Sequence, residues 1–573
     1  MTPRGIKAAV QRGAPLLIVA VVGAVGLAGF GSRVAAMAST DGVSTLSADG
    51  GLSSVTSLPN RRAMALWVNP NATIGTALLA GSGWHPQQTL ASPGHPWTPV
   101  GRQLSDGSFV VSWVSTSSTL SLMVSERSPK GKWTTQGFPL ANPLHLSSHL
   151  SATCPCVQVK PQLVEMPNGS VLAAADAAAS SWPHPAWAGK GLTSLGRFGT
   201  VVERVRPGRW QLVPGVNGLP VPTARGAEAV WQGRAGVFTA RRIGARWKIS
   251  RLSRHGLLVA SAIAPNGTIA AAIAAGDLNR TRLLVQEVGR APRSVRLPGV
   301  SLSYLGSPQV EVTASGEVVV YWDREDRGTG FSGAAVGTWT TTGGFRLRLL
   351  DSTGQSGTCD PHLVVPPSGD ALVFWAPASS GAGTRGYLGA SEISAGGRIG
   401  AWQRVINALD VNGKHLVKCD VGSEARGGLD VVWGVDDSGS PPAGSSVIPT
   451  TRTRLFSRRW TNASGWGAPQ AVLTTPGTAS PVRSVYTDYT NQREESALYL
   501  GPSLGMAVTD RGGVLVRNDR GWRAVTNLAL GKDESVSAVD ALQSSGRTIA
   551  AVVDIEATSG VSRVVAVVLQ NPV

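Results

Sequence analysis

The sequence predicts an all-β fold, a β-propeller of about eight to ten four-stranded blades behind an N-terminal apolar helix. One observation is a repeat in which a Pro is followed eight residues later by a Gly and six residues after that by a Trp. A second observation is a Gly placed shortly before a Trp, which recurs between copies of the first repeat. A fixed period of a few tens of residues indicates one supersecondary unit copied around an array.

The first repeat predicts a hairpin at the start of each unit. Its copies are Pro99-Gly107-Trp113, Pro308-Gly316-Trp322 and Pro361-Gly369-Trp375, with partial copies at Pro161-Gly169 and Gly427-Trp433. A turn such as Ser105-Asp106-Gly107 stands at the centre, because Gly supplies a positive φ and Asp can bond its own backbone. The run after the turn is often apolar on both faces: Val318, Val320 and Trp322 share one face, and Val319 and Tyr321 share the other. Strands of this kind lie between two layers, as propeller blades do.

The second repeat predicts the turn into the outermost strand of each unit. Its copies are Gly83-Trp84, Gly131-Trp133, Gly208-Trp210, Gly244-Trp247, Gly400-Trp402, Gly465-Trp466 and Gly521-Trp522. This repeat accounts for much of why the chain holds 18 Trp beside 6 Tyr. We expect these rings to pack in the core and between blades rather than to form a ligand cage.

Pairing the two repeats gives about ten units of about fifty residues each, close to the ~40–50 residues of a four-stranded blade. The first and last units show only about three strands each, so we expect them to complete one shared blade and close the ring. Two stacked rings are the alternative arrangement.

Residues 1–38 are predicted to be a signal peptide or a membrane anchor. Arg4, Lys7 and Arg12 precede an uncharged run over 13–31, and Ala36-Met37-Ala38 offers a small-x-small cleavage site. The run approaches the ~17–25 residues that span a bilayer, so an uncleaved anchor is the alternative. With either outcome the rest of the chain is expected outside the cytoplasm, secreted or on the outer face of the membrane. Residues 39–60, rich in Ser, Gly and Thr, predict a flexible linker, and 61–573 the propeller.

The charge of the chain bears on its partners. The formal net charge is +17, and cleavage after residue 38 lowers it by four to +13, because that segment holds four cations and no acid. An exported basic surface favours anionic envelope polymers, glycans or proteins, and lipid head groups if the N-terminal segment remains as an anchor. A general solvated surface is the alternative. The sequence has no nucleic-acid recognition module or aromatic-basic stripe, so nucleic acid is not an expected partner.

Four cysteines are too few for a dense disulfide framework in a chain of this size. Cys359 and Cys419 each precede an Asp at the start of an inner strand in adjacent units, which predicts a disulfide between neighbouring blades. Cys154 and Cys156 are expected to bond to each other or to pair elsewhere. The sequence has no paired CxxC spacing, so the cysteine pattern predicts neither a metal site nor a cofactor.

One candidate site is a set of acidic residues beside these cysteines. Asp360 and His362 lie in one unit, and Asp420 and Glu424 lie at equivalent places in the next. Together they could bind a cation or act as acid and base, as paired carboxylates do in glycoside hydrolysis. The alternative is that the Asp side chains cap turns beside a disulfide.

A second candidate is the stiff aromatic insertion that contains Trp182, His184 and Trp187. Exposed aromatic planes beside a polar group suit sugar rings, whereas a loop folded back over a blade edge is the alternative. A third is the polar stretch with Tyr486, Asp488 and Tyr489, since a Tyr near a carboxylate is the nucleophile arrangement of sialidases. Solvated loops between strands have the same composition.

Over most of residues 60–573 the pattern resembles the sialidase-like, BNR-repeat class of β-propellers in exported bacterial proteins. The segment closest to the Asp-box of that class is Ser128-Pro129-Lys130-Gly131-Lys132-Trp133, which keeps Ser, Gly and Trp but has Lys in place of Asp. The resemblance implies a propeller with glycan ligands. The Arg-Ile-Pro motif of sialidases does not occur in this sequence, so no catalytic residue is carried over.

Two functions remain from different classes. The first is an exported, non-catalytic propeller that binds or scaffolds at the cell envelope. The second is a divergent sialidase-like glycoside hydrolase or polysaccharide lyase that uses the acidic residues named above. The sequence contains no HExxH motif or phosphate loop. A sensory or assembly domain held by an uncleaved N-terminal helix is a third reading.

Overall fold

The computed structural model describes residues 42–570 with interruptions, and all structural statements below concern those residues. The interruptions are 59–61, 81–82, 118–119, 141–156, 180–196, 234, 276, 301–307, 314, 327–329, 351–358, 361–362, 367–369, 376–387, 395, 407–414, 424–427, 437–450, 472–481, 485–497, 501–505, 510–511, 519–520, 532, 545–547 and 558. The chain divides into two compact units, Met1–Ala38 and Ser39–Val573. Among the described residues, no helix is long and apolar enough to cross a membrane.

Strands dominate the described chain. Those of the first half are β1 (Val43–Ser47), β2 (Gly51–Leu58), β3 (Arg62–Val68), β4 (Thr73–Ala80), β5 (Gly83–Pro86), β6 (Leu90–Ala91), β7 (His95–Gln103), β8 (Phe109–Thr116), β9 (Leu120–Arg127), β10 (Trp133–Pro139), β11 (Val157–Glu165), β12 (Val171–Ala179), β13 (Arg197–Arg206), β14 (Arg209–Leu212), β15 (Val221–Thr223), β16 (Gly226–Gly233), β17 (Gly236–Ile243), β18 (Arg246–Ser253), β19 (Leu257–Ile263), β20 (Ile269–Ala275), β21 (Asp277–Gln286) and β22 (Arg293–Arg296).

The strands of the second half continue the same pattern. They are β23 (Gln309–Val312), β24 (Val318–Asp326), β25 (Gly330–Thr340), β26 (Gly344–Leu350), β27 (Cys359–Asp360), β28 (Leu363–Val364), β29 (Ala371–Trp375), β30 (Leu388–Ser394), β31 (Arg398–Ile406), β32 (His415–Ser423), β33 (Leu429–Asp436), β34 (Thr451–Thr461), β35 (Gly465–Trp466), β36 (Gln470–Ala471), β37 (Val482–Ser484), β38 (Leu498–Leu500), β39 (Met506–Thr509), β40 (Gly513–Asn518), β41 (Gly521–Asn527), β42 (Glu534–Ser544), β43 (Thr548–Ala557) and β44 (Ser562–Gln570).

Within the described residues these strands form ten sheets, which we number as blades along the chain. Blade 1 is β2–β6, and blades 2 to 6 are β7–β10, β11–β14, β15–β18, β19–β22 and β23–β26. Blades 7 to 10 are β28–β31, β32–β37 with β27, β38–β41, and β42–β44 with β1. The chain is therefore an all-β propeller, and its blade number falls within the predicted eight to ten.

Consecutive blades pack face to face around the ring, and each contacts the next, blade 10 contacting blade 1. Between blades 1 and 2, for example, Met64 and Leu66 pack against Phe109, Val111 and Trp113. The expected packing role of the Trp rings is confirmed for Trp210 of the Gly-Trp repeat, which is buried, and the second-strand residues Trp113 and Trp322 are fully buried as well. Burial of such large side chains supplies much of the favourable free energy of folding.

Both predicted turns are present in the fold. Gly107 and Gly169 adopt φ values of 83° and 77° at the hairpin that joins the first two strands of their blades. Asp106 accepts a hydrogen bond of 2.9 Å from the backbone N–H of Ser108, as expected for such a turn. The Gly-Trp repeat marks the outermost strand, as predicted: Trp133 begins β10 and Trp210 lies in β14.

The ring is closed by a strand from the opposite end of the chain. β1 pairs antiparallel with β44, with Val43 opposite Val567, and completes blade 10. This confirms the expectation of one blade shared between the chain ends. It also corrects the interpretation of 39–60 as a flexible linker, because Val43–Ser47 and Gly51–Leu58 form strands. Ser- and Thr-rich composition suggested a tether, whereas β-branched Val and Thr suit a pleated, half-buried strand.

An ion pair fixes the start of blade 10. Arg563 donates from Nε and Nη2 to Oε1 and Oε2 of Glu534, both at 2.8 Å. Glu534 also accepts from the backbone N–H of Gly531 at 2.6 Å. The hydrogen bonds from Arg563 outweigh the effect of burial and lower the pKa of Glu534 from 4.5 to about 2.

This pair predicts an acid-sensitive blade. A carboxyl group with a lower pKa in the folded state contributes stability above its unfolded pKa and loses it as the pH falls towards the folded pKa. The contribution of Glu534 to the free energy of unfolding is at most about 3 kcal/mol, and we expect it to be lost as the pH falls from about 5 to about 2. Urea unfolding of the wild type and of Glu534→Gln measures this, and their difference in stability should shrink across that range. A difference that stays constant with pH would contradict the assignment.

Candidate functional site

The structure places the two cysteine-aspartate pairs on adjacent strands. β27 pairs with β32 in parallel, and the register sets Cys359 opposite Cys419 and Asp360 opposite Asp420. Paired strands lie about 4.8 Å apart, which is within the Cα separation of ~4.4–6.8 Å that a disulfide requires. The backbone is therefore compatible with the predicted bridge, which stays a prediction. The two Asp residues, expected at equivalent places of adjacent units, lie opposite each other within one sheet, that of blade 8.

The other sequence-predicted site residues lie outside the described residues. These are His362, Glu424, Trp182, His184, Trp187, Cys154, Cys156, Tyr486, Asp488 and Tyr489. Their roles as acid, base, sugar platform or disulfide partner stay predictions. Among the described residues, no group of three or more His, Cys, Asp or Glu side chains could hold a metal ion.

A cavity of about 420 Å³ lies across the first strands of blades 1, 2 and 3, and we call it the inner groove. Thr56 of β2 stands on one side, and Pro161, Gln162 and Leu163 of β11 stand on the other. Between them run residues 100–103 of β7. First strands line the axis of a propeller, so the groove lies where ligands commonly bind in closed β-folds.

The inner groove is rich in hydrogen-bonding groups. Among the described residues, the side-chain oxygens of Gln103 and Gln162 are buried and accept no hydrogen bond. An amide oxygen left without a donor costs about 1–3 kcal/mol, so a ligand hydroxyl that reached it would recover that cost. Arg102 adds an exposed guanidinium with its Nε 3.7 Å from Oε2 of Glu165. Gln103, Gln162 and Arg102 therefore line the groove beside the apolar Val100 and Leu163.

Glu165 lies beside the inner groove and contacts Arg102, one of its lining residues. Its Oε1 accepts from the backbone N–H of Ser105 at 2.9 Å, so it ties blade 3 to the hairpin turn of blade 2. Burial opposes ionisation, yet the hydrogen bonds from Ser105 and the charge of Arg102 lower the pKa of Glu165 below its ordinary value. Glu165 thus stays ionised and orients Arg102 at neutral pH.

A buried ion-pair network joins blades 2 and 3 at the end of the ring that carries the first hairpin turns. Arg204 of β13 donates to Oε1 and Oε2 of Glu126 in β9, at 2.5 and 3.2 Å. It also donates to Oδ2 of Asp106 at 2.7 Å and to Oγ of Ser108 at 3.1 Å. Trp210 Nε1 completes the shell of Glu126 at 3.1 Å. Side chains of both Glu126 and Arg204 are at most 10% exposed.

The same network recurs between blades 3 and 4. Arg242 of β17, 4% exposed, donates to Glu203 of β13 and to Ser170. The strand registers show the equivalence: Arg204 pairs with Trp210, and Arg242 pairs with Trp247. Each acid directly precedes the strand position that carries the Arg of its own blade. The same arrangement of Arg, Glu and Ser therefore connects the blades at two successive junctions.

The two networks differ in their electrostatics. Burial raises the pKa of Glu203 more than the charge of Arg242 lowers it. At Asp106 burial also acts upward, but hydrogen bonds from Ser108 and Arg204 prevail and lower the pKa. Hydrogen bonding therefore favours the ionised form of Asp106, whereas burial disfavours the ionised form of Glu203.

Comparisons with known proteins assign no family. No family model matches the chain, and no curated protein matches it. Among solved structures, a polysaccharide lyase is 9% identical over 82% of this chain and 89% of its own, with a TM-score of 0.32. A protein of unknown function from Dyadobacter fermentans is 13% identical over 82% and 94%, with a TM-score of 0.27. A fucose-binding lectin from Aleuria aurantia is 14% identical over 53% and 97%, with a TM-score of 0.23.

At these identities and TM-scores the similarities assign neither a family nor an activity to this chain. The fold assignment rests on the ten sheets and their closure.

Sequence reasoning missed the inner groove entirely. Gln103 and Gln162 lie in separate units, and single Gln residues on partly exposed strands carry no motif. The one available signal was periodicity, because Gln103 lies four residues before Gly107 and Gln162 lies seven before Gly169. Those offsets differ, so the repeat alone does not bring the two amides together; the packing of β7 beside β11 does.

Proposed function

We propose that this protein is an exported, non-catalytic β-propeller that binds glycans at a bacterial-type cell envelope, secreted or held on the outer face of the membrane. The observation that carries the proposal is the inner groove with its unpartnered amide oxygens of Gln103 and Gln162. Sugar hydroxyls donate and accept hydrogen bonds at once, so they match an amide, whose oxygen accepts and whose nitrogen donates.

The remaining wall of the groove supports the same ligand class. Pro161, Leu163 and Val100 offer apolar surface to the C–H faces of a sugar ring, and Arg102 offers a charged donor. Apolar wall residues combined with placed polar groups are typical of ligand sites. The groove is open rather than enclosed, which suits an extended chain more than a small metabolite.

Screening on a glycan array, followed by calorimetry with the best-bound oligosaccharide, tests the proposal. We expect Gln162→Leu to weaken that binding by roughly two- to tenfold, because one neutral hydrogen bond contributes about 0.5–1.5 kcal/mol. Gln211→Leu is the matched control, since Gln211 is exposed in β14 of the same blade. If no oligosaccharide binds the wild type, the proposal fails; if both variants weaken binding equally, the groove is not the site.

A divergent sialidase-like glycoside hydrolase or polysaccharide lyase is the second candidate. The parallel register of Asp360 with Asp420 favours it, because glycosidases use two nearby carboxylates. Under this reading, Asp360→Asn and Asp420→Asn abolish turnover of a bound oligosaccharide. Under the first reading, both variants bind it as the wild type does and no turnover occurs in any of the three proteins.

A further inference from the structure

The junction between blades 1 and 2 occupies the same structural position as the two ion-paired junctions but carries different residues. In blade 2 Arg127 pairs with Trp133, as Arg204 pairs with Trp210 in blade 3. Arg127 is therefore the equivalent of Arg204 and Arg242. In blade 1 the residue opposite Trp84 is Leu79, so the position that holds Glu126 in blade 2 holds Leu78.

The hairpin position at this junction is changed as well. Ser108 directly precedes Phe109, which pairs with Arg127. In blade 1 Ala63 pairs with Leu79, the equivalent of Arg127, so Arg62 takes the place of Ser108. Arg62, Leu78 and Arg127 line one cavity of about 180 Å³ between the blades. At each of the next two junctions one guanidinium contacts a Glu and a Ser. At this junction a Leu and a second Arg take the places of the Glu and the Ser. We call it the two-arginine cavity.

The charge of Arg127 is uncompensated within the described residues. The guanidinium is half-buried, and none of the described carboxylates forms an ion pair with it. At the equivalent place Arg204 binds both oxygens of a buried carboxylate. The geometry that holds a planar carboxylate against a guanidinium is thus retained here, while the protein's own carboxylate is missing.

We propose that the two-arginine cavity binds the carboxylate of a uronate residue in an acidic glycan, with Arg127 as its main partner. The chemistry of the two equivalent junctions selects a carboxylate, since both hold one in this position. This inference rests on the proposed glycan-binding function and specifies its ligand class. Arg62 contributes a second positive charge beside the same space.

The rest of the cavity suits the ring of such a sugar. Phe109 and Met64 form an apolar floor, and both are almost fully buried. Ser128 and Gln103 add a hydroxyl and an amide at the rim. Gln103 lines the inner groove as well, so the two cavities are adjacent and one oligosaccharide can contact both.

Two variants test the inference from opposite directions. Arg127→Met removes the cation. Leu78→Glu supplies the carboxylate that the next two junctions carry, and this side chain should pair with Arg127 and block the binding of an external carboxylate. Leu78→Gln is the uncharged control for the second variant, and Arg209→Met, on exposed β14, is the control for the first. Binding of oligogalacturonate and of a neutral gluco-oligosaccharide of equal length is measured by calorimetry, with free galacturonate as a further probe.

We expect the wild type to prefer oligogalacturonate, and Arg127→Met and Leu78→Glu to weaken its binding by roughly ten- to a hundredfold, as for a hydrogen bond to a charged group. Both controls should keep the preference. We also expect Leu78→Glu to melt at a higher temperature than Leu78→Gln, because the new Glu pairs with Arg127. Equal melting temperatures would show that Arg127 is not poised for a carboxylate and would overturn the inference.

The binding outcomes separate this inference from the proposed function. If the wild type binds the neutral and acidic oligosaccharides equally, the inference fails and the glycan-binding function stands. If it binds free galacturonate, loses it in Leu78→Glu, and binds no oligosaccharide, the carboxylate site stands and the glycan function fails. If none of the three probes binds, both fail.

Discussion

Replacing Glu126 with Ala is expected to lower the free energy of unfolding by about 3–5 kcal/mol, the cost of leaving one member of a buried ion pair alone. The substitution removes both acceptor oxygens of Arg204 and the partner of Trp210 Nε1. Arg204 then keeps only Asp106 and Ser108, at the solvent-facing edge of the network. Chemical unfolding of the two proteins at neutral pH measures the difference.

A double variant separates charge burial from lost packing. Glu126→Leu with Arg204→Met removes both charges and keeps the apolar volume, so we expect it to recover most of the stability lost by Glu126→Ala. A double variant as unstable as Glu126→Ala would contradict the account, because the loss would then come from packing alone. Asp49→Ala, at an exposed position between β1 and β2, reports the effect of removing an acid elsewhere.

Deleting residues 1–50 is expected to open the ring. The deletion removes β1 and with it the apolar contacts of Val43 and Leu46 with the strands of blade 10. Both side chains are partly buried, so together they contribute at most about 3 kcal/mol, and β44 is left with an unpaired edge. We expect a lower melting temperature and association of the truncated chains through that edge. Calorimetry and light scattering measure the two effects.

The control for this truncation removes residues 1–41 and keeps β1. It should have the same melting temperature as the full-length chain, because both keep the pairing of β1 with β44. It should also remain unassociated under the same conditions. If the two truncated chains behave alike, β1 does not close the ring in solution.

The blade pattern was predictable from sequence because its determinants are local. A turn such as Asp106-Gly107 needs a positive φ and a short polar side chain, and both are visible within three residues. Trp113 and its equivalents follow at a fixed distance, so burial and spacing agree. β1 was missed because a five-residue strand with Ser and Thr has too few apolar positions to show its period; its pairing with β44 supplies the rest.

The sites were less predictable, because they depend on contacts between units. Leu78 and Arg127 are 49 residues apart and meet only because blades 1 and 2 pack face to face. The missing acid becomes visible when the strand registers of several blades are aligned on their outer Trp residues. The pairing of Asp360 with Asp420 was partly readable, since both follow a Cys at the same place in adjacent units.

The pairing of β1 with β44 also has a kinetic consequence. The register sets Val43 against Val567, so these partners are separated by more than five hundred residues of chain. Contacts of such high sequence separation form late, because the entropy of closing the intervening loop must be lost first. During synthesis β1 is made long before its partner β44. We therefore expect the final blade to dock in the slowest phase of folding, with nine blades already assembled and one open seam.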